Sequence, residues 1–428
     1  MTIRDKIKCT ICDQNYLLRV SLGHSEIQKH TFECKECGSN ISIEVIIDFN
    51  NAGCEVLRKE NCTDTSFHDS IFGDENQEYI VMNLHPELLI PDEFIHDPIY
   101  STNIFESERI HKERFGPNQF SNMSCEQFEE GYNQSAMYTD NLNNIEKNWL
   151  VLKVSWKMIN NNKKENIIKK QLKKYRSNTL NPTETDFNHI LYDFNNTLLY
   201  PDFISRPYDF FELFKNFIDI NTNENYKKFI TYYKHNLFKE NMKKFFDIYS
   251  DFFDIYNEFK QLLLYTATSQ NIPIGHRVSS HDFEKTKLFY GQLYEAYTSN
   301  ISLISMLHNL YRGREYNQFL NITLEKYLKL DKSGRADNFT NTKEFDWFSE
   351  FISSKLRNAS HHGNIELEDS IVIYRAGKSL NKYTMSYTRY LEICVQLFIR
   401  FICLNQLQLL LTTLDKIGIN RVKNRIKN

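Results

Sequence analysis

The segment KLRNASHHGN (Lys355–Asn364) brings together residue types that act on phosphates. Arginine carries a permanent, forked positive charge, and histidine titrates near neutral pH and can transfer protons. Metal-free cleavage of RNA needs a base for the 2′-hydroxyl, an acid for the departing 5′-oxygen and a fixed cation beside the phosphorus. Arg357 and His362 can supply these functions, and Asn358 can orient the backbone or the histidine. The structural alternative is that these side chains only cap helix carbonyls.

A helix must position these residues, because apolar side chains recur at helical spacing in front of them. Phe345, Phe348, Phe351, Ile352 and Leu356 predict a helix over Lys343 to His361, and Gly363-Asn364 is a stop signal. On an unbroken helix His361, at i+4, shares the face of Arg357, whereas His362, at i+5, lies about 140° further round the axis.

The order Arg-Asn-Ala-x-x-His-Gly resembles the R-x4-6-H motif of the HEPN superfamily, the helical ribonuclease domains of bacterial toxins and antiviral systems. Arg357, Asn358 and His362 fall on the motif positions, and His361 remains the weaker candidate. The resemblance covers about residues 280–414. It implies a metal-independent endoribonuclease that leaves 2′,3′-cyclic phosphate ends, a toxin or antiphage defence effector acting in abortive infection. It also implies a homodimer that faces two motifs across one cleft, with RNA as the substrate.

Two CxxC pairs lie near the N-terminus, Cys9 with Cys12 and Cys34 with Cys37, separated by 21 residues. Two-residue spacing lets both thiolates of a tight knuckle reach one ion, and a β-excursion returns the second pair to complete a tetrahedron. Gly38 follows the second pair, where a knuckle needs a positive φ angle. A redox dithiol is the alternative, but it would explain only one pair. The pattern resembles a zinc ribbon, whose four-cysteine zinc site is structural.

The net charge of -3 hides an uneven distribution. Residues 1–150 carry 12 Lys and Arg against 26 Asp and Glu, and the remainder carries 40 against 29. A basic C-terminal portion suits contact with phosphates, although two parts of opposite sign can also dock on each other. We expect a cytoplasmic protein with no membrane span. The chain opens on a polar stretch, and its most apolar late segment, residues 391–414, contains several polar side chains.

These patterns predict an α+β chain that is mainly α. Strands are expected at Tyr16–Leu22, His30–Cys34, Ile41–Phe49 and Tyr79–Leu84, and helices at about Phe283–Leu328, Lys343–His361 and Met385–Leu414. An aromatic stripe over residues 242–263 is predicted to be helix core, with a nucleotide-stacking surface as the alternative. The predicted regions are a zinc ribbon of short antiparallel strands (1–60), an acidic irregular or α+β connection (61–150), a helical region (151–270) and a HEPN-like helical bundle (271–428).

The sequence is also compatible with two other classes of function. The helical domain can be a non-catalytic RNA-binding or dimerisation scaffold, with the ribbon recruiting a protein partner or regulator. A nucleotide or ligand sensor is a third class, but the sequence contains no Gly-rich phosphate loop to support it. Arg335 and His308 are further candidates for the cleft, although a surface charge and a satisfied helix histidine are the preferred interpretations.

Overall fold

The computed structural model describes residues 2–23, 25–69, 78–89, 91, 109, 144–177, 186–218, 220, 222–279, 282–319, 321–368, 370–377 and 380–417. The chain is α+β, with a sheet-rich N-terminal region and a mostly helical C-terminal part, as predicted. Most of the acidic connection predicted over residues 61–150 lies outside the described residues, as do residues 418–428.

The strands lie mainly in the N-terminal region and form three sheets. They are β1 (Thr2–Cys9), β2 (Asn15–Ser21), β3 (Ile27–Glu33), β4 (Asn40–Asp48), β5 (Gly53–Glu60), β6 (Cys62–Asp64), β7 (Tyr79–Leu84), β8 (Ile365–Glu368), β9 (Ile371–Ala376) and β10 (Asn381–Ser386). The sheet orders are β6-β1-β2-β7, β3-β4-β5 and β10-β9-β8. Neighbouring strands are antiparallel except for β2 and β7, which are parallel. The four predicted strands are confirmed as β2, β3, β4 and β7.

Helices occupy most of the described chain after residue 144. They are α1 (Ile145–Asn160), α2 (Glu165–Leu172), α3 (Phe187–Leu199), α4 (Arg206–Phe217), α5 (Glu224–Asn236), α6 (Phe238–Asp254), α7 (Tyr256–Ala267), α8 (Phe283–Asn300), α9 (Ser302–Tyr311), α10 (Leu324–Leu328), α11 (Ser354–His361) and α12 (Tyr387–Ile417). The predicted helix over Phe283–Leu328 is wrong in extent. The helix is interrupted at Ile301, between α8 and α9. Gly313 then adopts a φ of +74° just after α9.

The helix predicted over Lys343–His361 is also shorter than expected. Its first half contains a 3-10 turn at Asp346–Ser349, and α11 begins only at Ser354. Phe351 lies between them with a φ of +63°, a left-handed conformation that interrupts the helix. The aromatic side chains at 345, 348 and 351 follow a three-residue period that the sequence cannot distinguish from the helical period.

The chain forms two compact units, each assembled from three stretches. The sheet unit contains Met1–Glu129, Ile255–Thr286 and His362–Val395, and the helical unit contains Glu130–Asp254, Lys287–His361 and Gln396–Asn428. In the sheet unit, alternate residues of the N-terminal strands share one apolar core, including Ile7, Leu18, Ile43, Val45 and Met82. Burial alternates along β3 and β4, as expected for strands with one apolar face, whereas β2 and β7 are buried on both faces.

Aromatic side chains dominate the core of the helical unit. Trp149 on α1 is 2% exposed and stacks on Phe246 and Phe253 at centroid distances of 5.6 and 5.3 Å. Tyr249 meets the same indole edge-on at 5.8 Å. The aromatic stripe of α6 is therefore helix core, as predicted, and its rings are not available to stack on a nucleotide.

Helix α12 carries polar side chains into the interior. The helix is long and apolar enough to cross a membrane, but 89% of its most apolar window is buried inside the protein. Gln406 is fully buried, accepts a hydrogen bond from Asn195 at 3.1 Å and donates to Asn196 at 2.7 Å. The Asn195 side chain in turn accepts from Tyr249 at 2.9 Å. These contacts identify α12 as a core helix, because its polar side chains are hydrogen-bonded to other helices of the same unit.

Replacing Gln406 with leucine is expected to destabilise the protein by about 2–3 kcal/mol, because the buried amide of Asn195 loses its acceptor. The double variant Asn195→Leu/Gln406→Leu should cost less than the sum of the two single changes, since no orphaned amide remains at that contact. Urea unfolding of the four proteins of this cycle measures the coupling. Strict additivity would show that packing, and not the hydrogen bond, determines the loss.

Candidate functional site

Helix α11 presents the Arg-Asn-His segment, and its local sequence explains where it starts and stops. Leu356 and Ala359 are buried and anchor one face of the helix. The Ser353 hydroxyl accepts a hydrogen bond from the backbone N–H of Leu356 at 3.2 Å, which caps the first turn. Gly363, with a φ of +67°, ends the helical path just beyond His361. The predicted stop at Gly363 is confirmed.

The guanidinium of Arg357 is fixed by two side chains. Its Nε and Nη2 atoms lie 2.7 and 2.5 Å from Oε1 of Glu295 on α8, and Nη1 donates to Oδ1 of Asn358 at 2.9 Å. Asn358 therefore contacts the arginine, whereas the sequence predicted a contact with the backbone or the histidine. A guanidinium has five N–H donors. Three are engaged here, so two can still reach a phosphate from the exposed side.

Glu295 is shared between two cations. Lys332 bonds to its second oxygen, and both side chains are partly exposed. Burial acts to raise the pKa of Glu295, but the hydrogen bonds and charges of Lys332 and Arg357 outweigh it and lower the pKa below the ordinary value. The carboxylate is therefore ionised at neutral pH and keeps Arg357 in one orientation.

His361 lies one helical turn beyond Arg357, on the same face of α11. Opposite, Gly291 lies one turn before Glu295 on α8, so two i,i+4 pairs face each other. A Cβ atom at position 291 would lie 3.3 Å from Nε2 of His361, closer than ordinary packing allows. Glycine thus gives the imidazole its space. His361 and His362 are both exposed.

Tyr294 adds a polar group that the sequence gave no reason to expect. Its hydroxyl is buried and has no hydrogen-bond partner among the described residues. Burial, reinforced by the charge of Asp331, raises the pKa of Tyr294 to about 12, while the charge of Arg357 acts in the opposite direction. The phenol therefore stays neutral beside Arg357 and can donate a hydrogen bond.

The sequence patterns did not predict a role for Glu295, Lys332 or Gly291. The available signal was a single carboxylate at Glu295, flanked in the sequence by tyrosine and alanine residues that are buried in the fold. A carboxylate that lies between buried residues of a helix is stabilised by a cationic partner. The sequence could not show that this partner lies 62 residues away on α11.

The two weaker candidates are both structural. Arg335 is 8% exposed, and its Nη2 donates to the carbonyl of Leu328 at 2.6 Å, so the prediction of a surface charge is wrong. His308 is 3% exposed, and its Nε2 lies 3.0 Å from the Thr342 hydroxyl. Burial lowers the pKa of His308 to about 4. His308 is therefore a buried helix histidine, as predicted, but it is only half satisfied, because its buried Nδ1 has no hydrogen-bond partner among the described residues.

The four N-terminal cysteines come together in the sheet unit through two matching knuckles. The backbone N–H of Cys9 donates to Gln14, and that of Asp13 donates to Cys9. In the second knuckle, Cys34 donates to Ser39 and Gly38 donates to Cys34. Gly38 has the predicted positive φ, +71°, and Asp13 adopts +62° at the equivalent position, where the sequence gave no glycine.

The sulfur atoms of Cys9, Cys12, Cys34 and Cys37 all lie within 4.8 Å of one another. The distances from Cys9 to Cys37 and from Cys12 to Cys34 are 3.8 and 3.5 Å, close to the separation of about 3.8 Å in a tetrahedral zinc-thiolate site. The hydroxyl and backbone of Ser39 lower the pKa of Cys37 to about 6, which favours the thiolate that binds metals. The donor set and its spacing fit a metal ion.

The remaining described cysteines near this cluster have no part in it. Cys62 pairs in register with Cys9, but its sulfur contacts the carbonyl of Ser42 at 3.5 Å, and burial raises its pKa. Cys54 is exposed on β5.

No protein-family model, no curated protein and no solved structure matches this chain.

Proposed function

We propose that the protein is a metal-independent endoribonuclease of the HEPN type. The observation that carries the proposal is the fixed guanidinium of Arg357, held by Glu295 and Asn358 on the helix face that also carries His361, with the exposed His362 as the next residue. A preoriented cation beside groups that can transfer protons is what RNA cleavage requires. The resemblance of the segment to the R-x4-6-H motif supports the same chemistry.

The proposed reaction uses the 2′-hydroxyl of the substrate as nucleophile. One histidine takes the 2′-proton, the 2′-oxygen attacks phosphorus, and the bond from phosphorus to the 5′-oxygen breaks. A second histidine gives a proton to that 5′-oxygen, which leaves a 2′,3′-cyclic phosphate and a free 5′-hydroxyl. The two free N–H groups of Arg357 would bind the phosphate as its negative charge grows. We propose a homodimer, because a second copy supplies the second proton carrier across one cleft.

The alternative is a non-catalytic scaffold that binds RNA or dimerises, and one observation favours it. Glu295 already neutralises Arg357, and Lys332 shares the same carboxylate. A network of this kind can have a purely structural role, in which it joins α8 to α11. Partial exposure of Arg357, at 30% of its side chain, and exposure of both histidines support the catalytic proposal instead.

For the cysteine cluster we propose a structural zinc ion. The ligands would be Cys9, Cys12, Cys34 and Cys37, which fill four tetrahedral positions and leave none for substrate. The ion would fix the two knuckles. The ribbon would then act as a targeting or regulatory module that recruits a partner, and a role as a toxin or defence effector follows from the family resemblance.

The function is tested by incubating the purified full-length protein with mixed RNA in excess EDTA. We expect cleavage in the chelator, products that carry 2′,3′-cyclic phosphate, and a dimer in analytical ultracentrifugation. RNA that is methylated at the 2′-oxygen should remain intact, because it lacks the nucleophile. Cleavage of the methylated RNA, or none of unmodified RNA by the dimer, would contradict the proposal.

A further inference from the structure

The hairpin formed by α1 and α2 in the helical unit carries a dense positive charge. Residues 144–177 contain ten Lys and Arg residues against two Glu residues, and all ten cationic side chains are exposed. Six of them, in α2 and its flanks, have no carboxylate partner among the described residues: Lys163, Lys164, Lys170, Lys173, Lys174 and Arg176. Within the described part of the chain, no carboxylate compensates this cationic surface.

The cationic surface is held in place by the fold. The Asn148 side chain donates to the backbone carbonyl of Arg176 at 2.7 Å and accepts from its N–H at 2.9 Å, which clamps the end of the hairpin to α1. Leu172 is buried, and Tyr175 donates to Asp193 on α3 at 3.1 Å. The lysines therefore project from α2 and from the described residues that flank it, and binding does not have to order a free tail.

The charge pattern distinguishes this hairpin from an ordinary solvated helix. Solvated helices alternate acidic and basic residues in i,i+4 pairs, but α2 has one such pair, Glu165 with Lys169. Lys170 lies three and four residues from Lys173 and Lys174, so like charges repeat one turn apart. Such repulsion costs stability unless an anionic ligand relieves it. A row of phosphates has the complementary charge and a comparable repeat.

The exposed apolar side chains argue against a membrane surface as the partner. Leu150, Val154 and Ile167 are 58, 41 and 44% exposed, but these three aliphatic side chains form too small an apolar surface to insert into lipid. The apolar face of α1, with Ile145, Trp149 and Leu152, is buried in the helical unit and cannot insert into lipid. A membrane-bound amphipathic helix needs that face.

We propose that the α1–α2 hairpin binds the sugar-phosphate backbone of RNA, independently of base sequence. This inference rests on the proposed ribonuclease function, for which the hairpin supplies affinity for the substrate while Arg357 and the histidines act on it. Release of counterions from the RNA drives the binding, so the affinity falls steeply with salt. Each lost contact with single-stranded RNA lowers the slope of log Kd against log salt by about 0.7.

The test compares two full-length variants that each lose five positive charges. The hairpin variant is K163Q/K164Q/K170Q/K173Q/K174Q. The control variant neutralises five exposed lysines that are ion-paired in the structure: Lys59, Lys227, Lys228, Lys285 and Lys329. Fluorescence anisotropy measures the binding of a 2′-O-methyl RNA of about 20 nucleotides at several salt concentrations, because this probe binds but cannot be cleaved through its 2′-oxygen.

We expect the hairpin variant to bind at least tenfold more weakly than wild type at low salt, with a salt slope reduced by up to about 3.5. The control should keep the wild-type slope within about one unit. Equal losses in both variants would overturn the proposal in favour of a general charge effect, and unchanged binding by the hairpin variant would overturn it directly. Loss of binding to anionic phosphatidylserine vesicles, with RNA binding intact, would assign the surface to membranes instead.

The two proposals can fail separately. If the hairpin variant loses probe binding but wild type does not cleave unmodified RNA, the ribonuclease proposal fails and the RNA-binding surface stands. If wild type cleaves RNA and the hairpin variant binds the probe as wild type does, the surface proposal alone fails.

Discussion

Replacing Arg357 with alanine is expected to lower the rate of RNA cleavage by a factor of roughly 10²–10⁴, the range for loss of one charge-stabilising or proton-transferring group. The guanidinium is the only one of the proposed catalytic groups that the described part of the chain anchors through three N–H donors. Its loss should reduce kcat more than it raises KM, because the charge on the phosphate grows in the transition state. Single-turnover cleavage of a labelled RNA measures the chemical step.

Arg389→Ala is the matched control for this change. Arg389 is 51% exposed and pairs with Glu392 on α12, so its replacement also removes one arginine and leaves one glutamate without that partner. Wild-type cleavage by this variant and loss in Arg357→Ala would locate the activity at α11. Equal cleavage rates for Arg357→Ala and wild type, with equal melting temperatures, would show that Arg357 takes no part in the reaction.

The roles of the two histidines can be distinguished by a substitution that replaces neither of them. In Gly291→Ala the added methyl group approaches Nε2 of His361 to 3.3 Å and displaces the imidazole. If His361 carries the proton, Gly291→Ala and His361→Ala should both lower the rate, and His362→Ala should not. If His362 carries the proton, as the family resemblance implies, only His362→Ala should lower the rate. Rates for the three variants at pH 6, 7 and 8 decide between them.

Structural features that are determined within one strand or helix could be predicted from the sequence, whereas features that depend on contacts between two distant segments could not. Strands β2, β3 and β4 were predictable because alternate residues enter one apolar core. β1 and β5 were not, because charged residues such as Asp5 and Lys6 occupy partly buried positions in β1 and most of β5 is exposed. The hairpin of β8 and β9 occupies a segment that was expected only to connect two helices.

The candidate site divides in the same way. Short-range spacing identified Arg357 and the cysteine pairs, since each motif lies within one helix end or one knuckle. The partners that give those residues a fixed geometry come from elsewhere: Glu295 and Gly291 from α8, and the hydroxyl of Tyr16, which donates to the Cys34 sulfur at 3.1 Å, from β2. Spacing within one segment carries no information about such long-range contacts.

Replacing Cys34 with serine is expected to release the metal and to destabilise the N-terminal sheets. Structural zinc contributes roughly 10–16 kcal/mol in isolated zinc-finger peptides. The loss here should be smaller, about 3 kcal/mol or more, because the apolar core that contains Ile43 and Val45 remains. Cys34 is 2% exposed and accepts the hydrogen bond of Tyr16, so the substitution also disturbs the second knuckle from within. Metal analysis should fall from about one zinc per chain to well below it.

Cys62→Ser provides the matched control, because Cys62 lies on the strand paired with β1, directly opposite Cys9, and outside the four-sulfur cluster. It should retain zinc and melt within a few degrees of wild type. Hydrogen exchange in β1–β4 should accelerate in Cys34→Ser and in protein stripped by a strong chelator, but not in the control. Since both serine variants make the same atomic change, equal exchange in the two would mean that the cluster does not stabilise the sheets through a metal.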